Sequence, residues 1–99
     1  MAEGTLQSKI LKYLNSRPDC IAENVSGNAN QSGRADINAC YKGKCLKLEL
    51  KDPETGYKPS KKQLLYLKKW AAAGAITKVI YSLEEVEKLL KEINDEISR

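Results

Sequence analysis

The sequence predicts an α/β fold in which a mixed central sheet is flanked by helices, with the element order α-β-β-β-α-β-α. Three observations lead to this class. Apolar residues alternate with polar ones on both arms of a hairpin at residues 34–51, which is typical of strands with one buried face. Near both ends of the chain, apolar residues recur every three to four positions, as in amphipathic helices. A further helix and strand follow the hairpin, so a crossover connection within the sheet is expected.

Residues 3–15 are expected to form the first helix, because Leu6, Ile10 and Leu14 recur at helical spacing. Glu3 and Gln7 are four positions apart and so share one side of that helix. They can also be explained as an exposed first turn, where the helix dipole favours an acidic residue. Residues 20–25 are predicted to form the first strand, and the polar segment 26–33 is predicted to be a loop.

The hairpin that follows is the centre of the prediction. Lys42-Gly43 is expected to form a two-residue turn, because glycine tolerates the positive φ angles that such turns require. This turn fixes the register and places Asp36 directly opposite Glu49, with Lys51 on the same face. The other face receives the apolar pairs Ala39–Leu46, Ile37–Leu48 and Ala35–Leu50.

The predicted Asp36–Glu49 pair needs an explanation, because like charges on directly opposed strand residues are destabilising. A divalent metal ion bound between the two carboxylates would remove the repulsion, and carboxylate oxygens are suitable ligands. The alternative is that Glu49 and Lys51 are an ordinary ion pair on an exposed edge strand. That alternative leaves Asp36 unexplained.

Residues 52–59 are predicted to be a loop, and a helix is expected from the N-cap Ser60 to about Ala73, with Gly74 as its C-terminal stop. Gln63 falls within the apolar arc of this helix and is expected to point inward. It can act in the capping box, at a functional site, or in both. The remaining elements are a strand at 76–81 and a helix with N-cap Ser82, whose apolar stripe is Leu83, Val86, Leu89, Leu90, Ile93 and Ile97.

The ordered set of polar residues resembles the VRR-NUC branch of the PD-(D/E)xK nuclease superfamily across nearly the whole chain. The set consists of Glu3 and Gln7 in the first helix, Gly33 and Asp36 entering a strand, the triplet Glu49-Leu50-Lys51, and Ser60 with Gln63. One departure is Ala35, where members of the family usually have proline. The resemblance implies a restriction-endonuclease-like fold and hydrolysis of DNA phosphodiester bonds by an endonuclease.

The resemblance also implies roles for the site residues. Asp36 and Glu49 would bind Mg²⁺, for which Mn²⁺ should substitute, and the Leu50 carbonyl would be a third ligand. Lys51 would orient the attacking water or stabilise charge in the transition state. The side chains expected to approach this site are Glu3, Gln7 and Gln63.

The charge is unevenly distributed and points to a polyanion such as nucleic acid as the partner, which the family resemblance specifies as DNA. Residues 42–69 carry nine lysines and three acidic residues, a net charge of +6, whereas residues 82–99 carry a net charge of −3. The alternative is a solvated lysine-rich face. The segment 26–33 either contacts DNA or is a plain surface loop. The basic residues expected to contact DNA are Arg34, Lys42, Lys44, Lys58, Lys61 and Lys62.

Size and composition bound the remaining expectations. Ninety-nine residues, 41% of them hydrophobic, suit one domain spanning 1–99. No membrane span or signal peptide is evident, so a cytoplasmic protein is expected, and the family resemblance implies that the cell is bacterial or phage-infected. The absence of histidine excludes histidine-based catalysis. Cys40 and Cys45 face each other in the hairpin, so a disulfide is conceivable, but with Cys20 they are expected to be reduced thiols.

Small VRR-NUC-like proteins resemble Holliday-junction resolvases, which implies a homodimer acting on four-way junctions or other branched DNA. Tyr66, Trp70, Ile93 and Ile97 offer apolar surface for such a dimer, although Trp70 can equally be part of the core. Two other function classes stay open. One is a nucleic-acid-binding module that has the fold but no cleavage activity, and the other is a structural or inhibitory protein.

Overall fold

The computed structural model of the protein describes residues 5–25, 36–51 and 60–98. The elements within these ranges follow the predicted order α-β-β-β-α-β-α. They are α1 (Leu6–Asn15), β1 (Cys20–Asn24), β2 (Ile37–Tyr41), β3 (Lys44–Leu50), α2 (Lys61–Ala72), β4 (Ile76–Ile80) and α3 (Leu83–Ile97).

The four strands form one mixed sheet in the order β1-β2-β3-β4. The β1–β2 and β2–β3 pairs are antiparallel, and β4 pairs with β3 in parallel. Helix α2 therefore supplies the crossover between the two parallel strands, as predicted. The predicted α/β class and the mixed sheet are both confirmed.

The predicted hairpin register is confirmed residue by residue, with Ile37 opposite Leu48 and Ala39 opposite Leu46. Lys42 and Gly43 form the turn, and their φ angles of 51° and 83° have the sign that a type I′ hairpin turn requires. A further positive φ angle, 109°, occurs at Gly74 directly after the C-cap of α2. Both turns thus fall where glycine was expected to permit them.

One face of the sheet carries the hydrophobic core. Helices α1 and α3 pack on this face through their buried apolar stripes. Tyr41 also belongs to this core and is 2% exposed. The residues that form the cluster are Ile10, Leu14, Ile37, Ala39, Tyr41, Leu46, Leu48, Ile80, Val86, Leu89, Leu90 and Ile93.

Helix α2 lies on the opposite face, where the Trp70 ring covers the ammonium group of Lys47 at 3.7 Å. Its contacts are with β4 and β3. Only Leu67 of this helix is buried, whereas Leu64 and Leu65 are about half exposed and Trp70 is 38% exposed. The predicted apolar arc is therefore only partly buried, because the helix covers one side of the sheet face and leaves the β1–β2 side open.

The helix ends differ in detail from the prediction. Helix α1 begins at Leu6 rather than at residue 3, because the Thr5 side chain accepts a hydrogen bond from the Ser8 N–H and caps the helix there. The predicted capping box of Ser60 and Gln63 is present in both directions. At α3 the predicted N-cap Ser82 accepts from the Glu85 N–H. The capping box is not completed there, because Glu85 Oε1 accepts from the Tyr81 N–H rather than from the Ser82 N–H.

Two further expectations concern the thiols and the membrane. Cys40 and Cys45 are cross-strand partners in the register, and both are exposed free thiols. Cys20 is also a free thiol and is half-buried. Within the described ranges, no helix has the length and apolar character needed to cross a membrane.

Candidate metal and active site

The hairpin brings the predicted carboxylates together at the end farthest from its turn. Asp36 directly precedes β2, and Glu49 is the second-last residue of β3. Extending the register by one pair beyond Ile37–Leu48 places them opposite each other. The Leu50 N–H donates a 2.8 Å hydrogen bond to Asp36 Oδ2, which fixes the Asp36 side chain against β3.

Glu49 is the residue with the most perturbed electrostatics in the site. Its side chain is 1% exposed, and burial together with the nearby Asp36 raises the pKa of this carboxyl from 4.5 to about 7. Lys51 opposes the shift through its Nζ, which lies 3.2 Å from Glu49 Oε2. The other oxygen, Oε1, is buried and has no hydrogen-bond partner among the described residues.

This geometry overturns the alternative of an exposed edge-strand ion pair. Strand β3 lies between β2 and β4, so it is an inner strand. Glu49 is buried and Lys51 is only 19% exposed, whereas surface ion pairs are solvated and contribute little to stability. A buried carboxylate with one unsatisfied oxygen beside a second carboxylate is costly for the fold unless a cation completes it.

The residues present fit an oxygen-ligated divalent metal. Glu49 Oε1 is a buried acceptor without a partner in the described part of the chain, and Asp36 keeps one oxygen beyond the one that accepts from Leu50. In an antiparallel ladder the N–H and C=O of one residue point toward the same neighbouring strand, so the Leu50 carbonyl is directed to the side of Asp36. Within the described ranges, no group of three His, Cys, Asp or Glu side chains could hold a metal ion. Two carboxylates and a carbonyl suit Mg²⁺, which keeps several of its waters.

Two predicted helper residues make other contacts. The Gln7 amide donates a 2.8 Å hydrogen bond to Asn24 Oδ1, at the end of β1. Gln63 Oε1 accepts from the Ser60 N–H at 2.9 Å, which is the capping-box arrangement. Glu3, Arg34 and Lys58, together with the predicted loops 26–33 and 52–59, lie outside the described residues.

The predicted DNA-binding lysines divide into two groups. Lys42 contacts Asn94 and lies 3.7 Å from Asp19, at the turn end of the hairpin. Lys44 opens β3, five residues before Glu49, which corresponds to roughly 16 Å at about 3.3 Å per residue. Lys61 and Lys62 are instead exposed at the start of α2. The first pair thus lies at the end of the hairpin opposite to the carboxylates.

Lys47 was missed by the sequence reasoning. It lies on the same face of β3 as Glu49 and Lys51, yet it is only 6% exposed. Its Nζ donates a 2.8 Å hydrogen bond to Asn38 Oδ1 and sits beneath Trp70. Lysine is almost never fully buried, so the residue type alone did not indicate that Lys47 would be. The available signal was its position on a strand face that the crossover helix had to cover.

The raised pKa of Glu49 predicts how the metal-free protein responds to pH. The folded state holds this proton more tightly than the unfolded chain, so the free energy of unfolding should fall as pH rises from about 4.5 to about 7. The loss should be on the order of 2–3 kcal/mol. Urea unfolding in EDTA at pH 5 and pH 8 measures it.

The matched variant for this measurement is Glu49→Gln, which should lack this part of the pH dependence and be the more stable protein at pH 8. Glu87→Gln removes an exposed carboxylate of α3 and should behave like wild type. Equal pH dependence in wild type and Glu49→Gln would show that Glu49 is not the perturbed group.

The fold is an α/β domain in which paired carboxylates with an adjacent lysine form a candidate metal centre. A solved structure described as a VRR_NUC domain is similar to the chain, with a TM-score of 0.65 and 25% sequence identity over 89% of this chain and 97% of the other. This match confirms the predicted resemblance and supports a VRR-NUC domain. Comparison with family models and with curated proteins gave no match.

Proposed function

We propose that the protein is a metal-dependent endonuclease that hydrolyses phosphodiester bonds in DNA. The observation that carries the proposal is the buried Glu49 carboxylate, which has one oxygen on Lys51, one without a partner among the described residues, and Asp36 beside it. The similarity to a VRR_NUC domain supports a nuclease. Carboxylates held together at such a cost to the fold are typical of functional sites.

Asp36, Glu49 and the Leu50 carbonyl would hold Mg²⁺ or Mn²⁺. A bound ion of this kind supplies charge neutralisation at the phosphate and lowers the pKa of a coordinated water. The protein contributes the placement of its oxygens. The Asp36 carboxylate is held by the Leu50 N–H, and Glu49 is held by the inner strand β3 and by Lys51.

Lys51 is the proposed catalytic cation. It follows β3 directly, and its backbone N–H donates to the Ile80 carbonyl at 2.9 Å, so its position is fixed by the sheet. Its ammonium group touches Glu49 and can stabilise the negative charge that develops on the phosphate, or orient the attacking water. Gln63 and Gln7, with Glu3, are retained as proposed supporting residues around this centre.

DNA is the proposed partner because the chain is basic beside this centre. The exposed Lys61 and Lys62 open α2, the helix that follows the Glu49-Leu50-Lys51 strand after residues 52–59. Phosphate contacts by lysines give affinity without sequence preference. Arg34 and Lys58 are proposed to contribute in the same way, and Lys42 and Lys44 would contact only DNA that extends to the turn end of the hairpin.

A cleavage assay tests the proposal. Purified protein is incubated with supercoiled plasmid, linear duplex, flap and four-way junction DNA in Mg²⁺, in Mn²⁺ or in EDTA. Cleavage in either metal and none in EDTA is the expected result. A salt-dependent gel shift without cleavage in either metal would instead identify a nucleic-acid-binding module.

We further propose that the protein acts as a homodimer on branched DNA. One chain offers one centre, and resolving a four-way junction takes two symmetric cuts, which a closed two-fold dimer supplies. Ile93 is buried and so cannot contribute to an interface. Of the other predicted residues, Ile97 is 43% exposed and could do so, whereas Tyr66 is half-buried and Trp70 is 38% exposed with Lys47 against its ring. The exposed Leu64 and Leu65, at 50% and 52%, could also contribute.

The expected result for assembly is a dimer near micromolar concentration by sedimentation or light scattering, together with faster cleavage of four-way junctions than of linear duplex. A monomer that cuts simple duplex as fast as junctions would contradict the dimer proposal. It would leave the assignment of Asp36, Glu49 and Lys51 intact.

A further inference from the structure

A groove runs along the sheet face that α2 leaves open, next to the candidate metal site. It has a volume of about 440 Å³, and its lining includes Ile21, Glu23, Asn38, Cys40 and Lys47. Along β3, Lys47 is two residues from Glu49, which is roughly 6.6 Å at about 3.3 Å per residue. The groove therefore begins within a few nucleotides of the carboxylates.

Lys47 is the unusual group in this groove. It is only 6% exposed, yet no carboxylate of the described residues lies within 4.0 Å of its Nζ. Asn38 and the Trp70 ring offset part of the cost of burying the charge. A buried cation that lines an open groove, with no carboxylate partner in the described part of the chain, is suited to an anionic ligand.

Helix α2 meets the groove at Lys47, which Trp70 covers, and it presents aromatic and basic side chains together. Lys62, Tyr66, Lys69 and Trp70 recur at three- and four-residue spacing and so share one side of α2. The Tyr66 and Trp70 rings are 6.0 Å apart, and Trp70 is 38% exposed although Lys47 lies against it. Alternation of aromatic rings and cations on one wall is the arrangement that holds single-stranded nucleic acid by stacking and phosphate contacts.

We infer that Lys47, Asn38 and Trp70 form a nucleotide subsite, in which Lys47 contacts a phosphate and an unpaired base stacks on Trp70. This inference rests on the proposed nuclease function and specifies that the DNA is single-stranded beside the cut. Glu23 lines the β1 side of the groove and repels phosphate, so the DNA backbone runs along the α2 side. A second copy of this chain fits this wall poorly, because a two-fold contact through it would bring Lys62 and Lys69 of one copy close to the same lysines of the other.

The chain contains one tryptophan, so its fluorescence reports on the subsite alone. The test titrates wild-type protein in EDTA with an eight-nucleotide single-stranded DNA, and with an abasic deoxyribose-phosphate chain of the same length. Saturable quenching by the base-bearing DNA is expected. The abasic chain should bind about tenfold more weakly, because it lacks the base that stacks on Trp70, and it should not quench the Trp70 fluorescence.

Two lysine variants separate the subsite from general charge. Lys47→Met keeps the volume beneath Trp70 and should weaken binding about tenfold, and the slope of log K against log salt should fall by about 0.7. Lys91→Met removes an exposed charge from α3, on the other face of the sheet, and should stay within about twofold of wild type. If Lys47→Met does not fold by circular dichroism, the comparison of base-bearing and abasic chains decides alone.

Three results would overturn the subsite. The first is bound DNA, detected by anisotropy, without quenching of Trp70. The second is equal loss of affinity in Lys47→Met and Lys91→Met. The third is a shift in Trp70 emission on dilution without DNA, which would show that a second copy covers this wall. Because EDTA is present throughout, failure of the cleavage assay leaves each of these readouts unaffected.

Discussion

Glu49→Gln and Asp36→Asn are each expected to lower the cleavage rate by about 10³-fold or more while DNA affinity stays within about twofold. Each change keeps the shape of the side chain and removes a charged ligand from the proposed metal site, whose contribution is several kcal/mol of transition-state stabilisation. Single-turnover cleavage in Mg²⁺ and anisotropy in EDTA measure the two quantities separately. The control is Glu87→Gln on α3, which removes the same charge from an exposed site and should cleave normally.

Stability provides an independent check on the same pair of residues. Both metal-free variants should be at least as stable as wild type near neutral pH, because each relieves the repulsion that raises the pKa of Glu49. In the Asp36→Asn variant, the amide oxygen of the new side chain can still accept from the Leu50 N–H. A clear loss of thermal stability in EDTA would show that the carboxylates do not oppose each other as described.

Lys51→Ala is expected to lower the turnover rate by roughly 10²–10³-fold with little change in substrate binding, since its proposed role is in the transition state. Its loss also removes the cation that opposes the upward pKa shift of Glu49. The comparison with wild type is therefore made at pH 8 or above, where protonation of Glu49 interferes least. Single-turnover rates over a range of enzyme concentrations separate the chemical step from binding.

The matched variants for Lys51 are Lys61→Ala and Lys62→Ala at the start of α2. Each should weaken binding across DNA sequences and reduce the salt slope by about 0.9 on duplex DNA, with the single-turnover rate at saturation retained. A Lys51→Ala protein that lost only affinity, like these two, would contradict the catalytic assignment.

The parts of the fold that local sequence determines were predictable. Apolar residues alternate with polar ones on both arms of the hairpin, and the Lys42-Gly43 turn allows one register that buries the leucines. The structure has that register. The same register pairs Asp36 with Glu49 from the sequence alone. Ser60 and Gln63 indicated the start of α2 because a capping box satisfies the first backbone donors locally.

Features that depend on tertiary contacts were not predictable in the same way. The start of α1 is a local feature that the prediction nevertheless missed, because the Thr5 cap competes with a helical pattern that continues from residue 3. Burial along α2 depends on how far the helix covers the sheet, and its sequence periodicity alone implied more contact than Leu67 makes. The burial of Lys47 arises from the position of Trp70, which lies in a different element much later in the chain.

The buried Glu49 oxygen that has no partner among the described residues bears on how this chain would respond to mutation. Replacing either carboxylate of the Asp36–Glu49 pair by its isosteric amide would relieve their repulsion and stabilise the metal-free fold. At the proposed centre, loss of activity would therefore accompany a gain in stability, which is the form that a stability–activity trade-off takes.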